Sequence, residues 1–168
     1  DRIVEFYGAS EGNISLTNVD SKFGSIGRIP PYLKSVLPTK VVKFDVENEV
    51  VIRDENGFCI ECEDGEAGEA IGFIPDDDKF TGKFEGYTDK EATKKKILEN
   101  VFEKGDRWFS SGDLLKKDKQ GYYYFVDRIG DTFRWKSENV STNEVSEAIS
   151  AYKGIDEVNV YGVEVPNQ

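Results

Sequence analysis

At 168 residues with 38% hydrophobic side chains, the chain is long enough to bury a core as one domain with at most a small appendage, and its composition is globular. Its 33 acidic against 22 basic residues leave a formal charge of -11, which repels a duplex phosphate backbone and argues against nucleic acid as a partner. No run approaches the roughly 18 to 20 apolar residues that cross a bilayer, and the amino terminus lacks the basic and apolar regions of a signal peptide, so the segment reads as soluble.

The apolar "IVEF" opens the chain as a strand, and "YGASEGN" lies at its exit. Glycines there let a backbone approach a ligand closely, Ser10 and Glu11 are hard oxygen donors of the kind magnesium takes beside substrate phosphates, and Tyr7 offers a flat face for a base. Together they suggest a nucleoside triphosphate site. Taken alone, the same letters fit a turn in which Gly8 and Gly12 supply backbone freedom, Ser10 caps a helix and Glu11 is solvated.

Residues 41–53, "VVKFDVENEVVIR", alternate apolar and polar side chains around Glu47 to Glu49 and predict a hairpin with one buried face. From Gly57 to Gly86 the chain is rich in Gly, Asp and Glu around one apolar island, "AIGFIP", which predicts brief strands, many loops and poor order around Asp76 to Lys79. Cys59 and Cys62 form a lone CxxC in a strand-to-turn stretch, without histidine or a second pair. Tetrahedral zinc needs four ligands and a redox pair usually opens a helix, so the two are read as small apolar side chains.

"TDKEATKKKILENVFEKG" predicts a helix capped by Thr88 or Asp89, with Glu91 in its first turn, an apolar stripe of Ile97, Leu98, Val101 and Phe102, and Gly105 at its end. Lys94 to Lys96 fall on its solvated face, phosphate binding being the lesser alternative. Two strands follow around "KDKQG", with Gly121 in the left-handed position of the hairpin, then a turn at "IGD" and a third strand. "TNEVSEAISAYKG" predicts a helix capped by Ser141 or Thr142, with Val145, Ile149 and Tyr152 on one face and Gly154 as its stop; "EVNVYGVEV" predicts a last strand. The order is that of an α+β protein with a seam at "RIGD".

Two further polar clusters stand out. In "SSGDLL", Asp113 follows a glycine, where a carboxylate can accept two hydrogen bonds from a ribose diol. In "DRIGDTFRWKSEN", Arg128, Asp131, Arg134 and Lys136 surround one glycine, and arginine suits bidentate contact with phosphate or hydroxyl oxygens. Alone, the first fits a turn aspartate and the second a salt-bridged turn.

Taken in order and spacing, "FYGASEGN", "GSIGRIP", "WFSSGDLL", "GYYYFVDRIGDTFRWKSENVST" and "NVYGVEVP" resemble the carboxy-terminal half of the fatty acid transport protein and very-long-chain acyl-CoA synthetase family, a branch of the adenylate-forming enzymes. The resemblance runs from Val4 to Pro166. It implies a distorted β-barrel subdomain closing residues 1–130 of the chain, then the start of a small α+β lid over residues 131–168.

It also implies two-step ligation of a long-chain or very-long-chain fatty acid to coenzyme A, through an acyl-adenylate made from magnesium ATP. Position by position, Tyr7 and Gly8 match the adenine-facing segment, Ser10 and Glu11 the hydroxyl and carboxylate near phosphates and magnesium, Asp113 and Arg128 the ribose contacts, and Asp131 the hinge. Ser10 stands where many such enzymes carry threonine and keeps the hydroxyl. Ser137 stands where many carry glycine, which puts close packing of coenzyme A in question.

The chain opens on Asp1, contains no methionine and stops at "VEVPNQ", and is expected to be a piece of something longer. By the resemblance, the glycine-rich phosphate loop belongs upstream of Asp1 and the adenylating lysine downstream of Gln168, so the piece is expected to be inactive alone. The family further implies endoplasmic reticulum, peroxisome or lipid droplet membranes, reached through an amino-terminal anchor. Two other readings stand beside the ligase: a membrane fatty acid uptake or binding protein with vestigial ligase residues, and a β-rich interaction module, for which "GFIPDDDKF" is the candidate apolar surface.

Overall fold

The consecutive apolar pairs Val41–Val42, Ala70–Ile71 and Trp108–Phe109 require two hydrophobic surfaces, because neighbouring residues of a strand face opposite ways. The computed structural model, which describes residues 4–9, 14–33, 39–75, 96–135 and 138–163, provides both. Its elements run β1 (Glu5–Gly8), β2 (Ser15–Asn18), β3 (Gly27–Arg28), a 3-10 turn at Pro31–Leu33, β4 (Thr39–Val42), β5 (Phe44–Asp45) and β6 (Val50–Val51). Then follow β7 (Ala67–Phe73), β8 (Ile97–Glu99), β9 (Arg107–Lys117), β10 (Tyr122–Arg128), β11 (Phe133–Trp135), β12 (Glu138–Val140) and helix α1 (Thr142–Ser150).

Six strands form one curled antiparallel sheet in the order β3-β10-β9-β7-β4, with β8 also on β9. Val41, Ala70 and Phe109 point to one face, where they meet Ile14, Leu16, Ile29, Leu115 and Tyr123; the β1–β2 hairpin closes over them. Val42, Ile71 and Trp108 point to the other, with Cys59 and Val101. Cys59 and Cys62 are free thiols, both buried, and burial pushes the Cys62 thiol up to about 12. They are core side chains.

The predicted hairpins at 41–53 and around "KDKQG" both form. The first is short, pairing Phe44 with Val51 and Asp45 with Val50. The second turns on Asp118, whose Oδ1 accepts from the amides of Gln120 and Tyr122, and on Gly121 at φ 82°. The region read as brief strands departs from expectation: β7 has seven residues, and it lies between β4 and β9. Its glycines and alanines read as loop letters because they fill a crowded interior. A Cβ at Gly68 would collide with the Val42 carbonyl oxygen and the Cys62 sulfur.

Two expectations are corrected. Residues 97–105 are not helical: Ile97–Glu99 pair with β9, and Ile97 and Leu98 serve the two opposite faces, which a single helical stripe cannot do. The chain then turns around the Asp106 carboxylate, which accepts from the amides of Val101, Phe102 and Glu103 and from the Trp108 indole. Lys96 likewise leaves the solvated face expected of it and donates to the Ser111 carbonyl at 3.4 Å. The helical stretch before it, and the predicted poor order at Asp76 to Lys79, lie outside the described residues.

The second correction is the last strand. Residues 155–163 carry no ladder, although Val158 accepts from the Ser146 hydroxyl and Gly162 lies against the Phe133 ring. β11 and β12, three residues each, pair with one another, and alternation in a sequence specifies a face without supplying a partner. Helix α1 forms with the expected Ser141 cap, which accepts from the Glu144 amide, but it ends at Ser150, short of the Gly154 stop and of Tyr152.

The crowding at Gly68 sets an expected outcome: Gly68→Ala forces β4 away from β7 and destabilises the chain by about 1–3 kcal/mol. Urea unfolding measures it, and an unchanged midpoint would show that the two strands are not in contact there.

Candidate functional site

Strand β9 changes partner along one edge. β8 takes Arg107, Trp108 and Phe109, whereas β10 takes Asp113 to Lys117. On the other edge the register with β7 breaks at the same place: Ile71 pairs with Ser110 and Glu69 with Leu114, so Ala70 alone faces Ser111, Gly112 and Asp113. That bulge is why Asp113 leaves the β7 ladder while it keeps its place opposite β10. Gly112 adopts φ 79°, a conformation that favours glycine, and its carbonyl accepts from the Ile129 amide at 2.8 Å. The Ser111 hydroxyl donates to the Ala70 carbonyl at 2.7 Å and accepts from the Asp113 amide at 3.0 Å.

The Asp113 carboxylate stands between two residues distant in sequence. Tyr7, at the end of β1, donates its hydroxyl to Oδ2 at 2.5 Å, and the Arg128 Nε lies 3.8 Å from Oδ1. Arg128 and Asp113 are cross-strand partners, and the arginine side chain is 73% exposed against 19% for the aspartate. Burial, then the hydrogen bond to Asp113, raises the Tyr7 phenol well above its ordinary value, so it remains a donor at neutral pH. Three residues assigned to nucleotide contact from sequence are thus brought together.

Gly8 ends β1, and the Ala9 amide donates to the Ile14 carbonyl at 3.1 Å, so β1 and β2 form a hairpin beside Tyr7. Ser10, Glu11 and Gly12 in its connection lie outside the described residues, as do Lys136 and Ser137. Asp131 is exposed in the turn after β10, behind Gly130 at φ 96°, and its amide donates to the Arg128 carbonyl at 3.1 Å; Arg134 falls in β11.

Two carboxylates escaped the sequence reading. Glu69, 2% exposed, accepts from the Ser110 hydroxyl at 2.5 Å and the Gly112 amide at 3.2 Å beneath the bulge; burial raises its pKa, against the pull of those two bonds and of Lys96. Asp127, 1% exposed, accepts from its neighbour Arg128 N at 2.9 Å and, across the turn, from Thr142 N at 2.7 Å and Asn143 Nδ2 at 2.9 Å. Among the described residues no cluster of three or more potential metal ligands forms, and no helix is long and apolar enough to cross a membrane.

No family model matches the chain. Among solved structures it superposes on MatB from Rhodopseudomonas palustris bound to ATP with a TM-score of 0.66 at 25% identity, over 96% of the chain and 27% of that protein. It superposes on the O-succinylbenzoate coenzyme A synthetase of Bacillus subtilis in complex with AMP with a TM-score of 0.65 at 23% identity, over 97% of the chain and 29% of that protein. The fold is that of adenylate-forming enzymes.

Among curated proteins the chain is 46% identical over 164 residues to long-chain fatty acid transport protein 2 of Rattus norvegicus, and 47% identical over 165 residues to long-chain fatty acid transport protein 1 of Homo sapiens. Each match takes in 98% of the chain and about a quarter of the relative, 26% and 25%. The chain belongs to the fatty acid transport protein family.

Asp127 ties β10 to α1 by accepting from the Thr142 amide and the Asn143 side-chain amide. Asp127→Ala is expected to cost about 2 kcal/mol in urea unfolding and to speed amide hydrogen exchange at the start of α1. Exchange there as slow as in the parent would show that the helix is held by something else.

Proposed function

We propose that the longer protein carrying this chain is an ATP-dependent ligase that joins a long-chain or very-long-chain fatty acid to coenzyme A, and that this chain supplies its adenine, ribose and magnesium contacts and its hinge. The observation that carries the reading is the meeting of Tyr7, Asp113 and Arg128, residues up to 121 positions apart, where strand β9 changes partner in the central sheet. The family membership and the ATP- and AMP-bound structural neighbours support it.

In this reading the Asp113 carboxylate accepts hydrogen bonds from the ribose diol. It has lone pairs beyond the one that Tyr7 occupies. The Arg128 guanidinium, largely in solvent, adds donors to the same sugar, and the Tyr7 ring lies beside the base. Ser10 and Glu11 are the residues that would hold magnesium; a hydroxyl and a carboxylate form the hard oxygen set that this ion accepts, and the ion supplies charge neutralisation at the phosphates.

A fatty acid carboxylate oxygen attacks the α-phosphorus and the bond to pyrophosphate breaks. The coenzyme A sulfur then attacks the acyl carbon and AMP departs. Between the steps, residues 131–168 move as a lid about Asp131, whose exposed turn absorbs the dihedral change. The chain by itself does not catalyse, because the fixed positive charge that transfer at phosphorus demands lies elsewhere in the protein.

The full-length protein incubated with ATP, oleate and coenzyme A should release AMP and oleoyl-CoA, and Asp113→Asn should lower kcat/KM for ATP by about 10- to 100-fold. A full-length protein inert towards every fatty acid offered, or an Asp113→Asn protein with unchanged ATP kinetics, would overturn the assignment. Fatty acid uptake that continues unchanged after activation is lost would favour transport as the main role.

A further inference from the structure

Among the described residues, Glu69 is the one buried carboxylate that bonds to the bulge in β9. Its Oε1 binds the bulge at two points, the Ser110 hydroxyl and the Gly112 amide, which lie either side of Ser111. Gly112 sits where the β7–β9 ladder is interrupted, so its amide faces the Glu69 carboxylate instead of a strand carbonyl. The Lys96 ammonium approaches the same loop from the β8 side, donating to the Ser111 carbonyl.

The path from this carboxylate to the site is short. Gly112 is joined by one peptide bond to Asp113, and Ser111 anchors both the Ala70 carbonyl and the Asp113 amide. A rotation of the Gly112 peptide, which its φ of 79° leaves without a Cβ to oppose it, would swing Asp113 away from Tyr7 and Arg128. Glu69 removes that freedom by accepting from the residues on either side of Ser111. Burying a carboxylate so deeply is unfavourable, and burial does raise its pKa, so the residue is poorly explained as packing.

We infer that Glu69 is a positioning residue for nucleotide binding: by clamping Ser110 and Gly112 it fixes the direction in which the Asp113 carboxylate is presented to a ribose diol. The inference rests on the nucleotide reading of Asp113 given above. Misplacing one liganding group by about 1 Å can cost on the order of a hundredfold in rate or affinity, which is the scale on which such a clamp acts.

The test is AMP binding to the full-length protein by titration calorimetry, with steady-state kinetics beside it, for the parent, Glu69→Gln, Glu69→Leu and Asp113→Asn. Glu69→Leu should weaken AMP and raise the KM for ATP by about tenfold or more, with kcat and the fatty acid KM within about threefold. Glu69→Gln keeps an oxygen that accepts from both donors and should bind AMP within about threefold of the parent. Parent-like AMP affinity in Glu69→Leu, while Asp113→Asn loses it, would overturn the clamp alone. Unchanged affinity in Asp113→Asn would overturn the nucleotide reading and this inference with it. A uniform loss of AMP and fatty acid affinity with a lowered melting temperature would mark Glu69 as structural and overturn the clamp. Should Glu69→Leu not fold, Ser110→Ala takes its place: about a tenfold loss of AMP affinity supports the clamp, and affinity within about threefold of the parent overturns it.

Discussion

Strand β9 is 11 residues long, and neither β8 nor β10 spans it. At the change of partner, backbone groups lose their ladder, and a buried amide left without an acceptor costs about 1–3 kcal/mol. The sheet resolves this with side chains: the Glu69 carboxylate takes the Gly112 amide, the Ser111 hydroxyl takes the Asp113 amide, and the Ile129 amide fills the Gly112 carbonyl. Every feature of the candidate site follows from that repair. Asp113 points out because its strand bulges, Arg128 lies opposite because the β10–β9 ladder ends on that pair, and Tyr7 reaches them because β1 and β2 close over the same face.

The two contacts to Asp113 differ in strength. A phenol donating to a carboxylate at 2.5 Å is a charge-assisted bond in a half-buried place, of the class that contributes about 1.5–3 kcal/mol. The pair with Arg128, at 3.8 Å with the guanidinium 73% exposed, belongs to the class worth about 0–1 kcal/mol. Tyr7 therefore orients the carboxylate, and the arginine keeps its donors for another oxygen. Because the folded state raises the Tyr7 pKa, the contribution of this bond is complete below the ordinary phenol pKa and is lost only as pH climbs through the strongly alkaline folded value. At neutral pH the arrangement does not titrate through Tyr7.

Short-range chemistry was legible in the sequence. The turn at Gly121, the Ser141 cap and the paired strands around "KDKQG" each depend on residues within a few positions of one another. The likeness of "FYGASEGN", "WFSSGDLL" and "GYYYFVDRIGDTFRWKSENVST" to a family named three residues that the fold does bring together. What could not be read was decided by partners far along the chain. Ile97 and Leu98 fit a helix stripe until β9 is there to pair with them, and the "AGEAIGF" of β7 looks like loop until Val42 is seen to leave no room for a side chain at Gly68. Glu69 and Asp127 were invisible for the same reason, since a charge within a strand announces neither burial nor the donors that make burial tolerable.

The same use of a carboxylate recurs at the seam, with a different mechanical result. Helix α1 buries Thr142 but leaves Ile149 41% exposed, with Tyr152 just past its end 76% exposed, and a cavity of about 180 Å³ lined by Phe44, Leu114, Val126, Thr132 and Ser141 lies where it meets the sheet. Little apolar area therefore holds it. Its attachment is instead directional: the Thr142 amide and the Asn143 amide group both end on Asp127, and the Ser141 hydroxyl on the Val126 carbonyl. Hydrophobic area resists separation in proportion to all that is exposed, whereas a few bonds to two neighbouring residues are given up together and can be replaced by water once the seam opens. A helix held chiefly by one carboxylate and one carbonyl of β10, beyond an exposed turn with Gly130 at positive φ, is anchored in one orientation without being committed to it by its core. That is the attachment a pivot proposed at Asp131 requires.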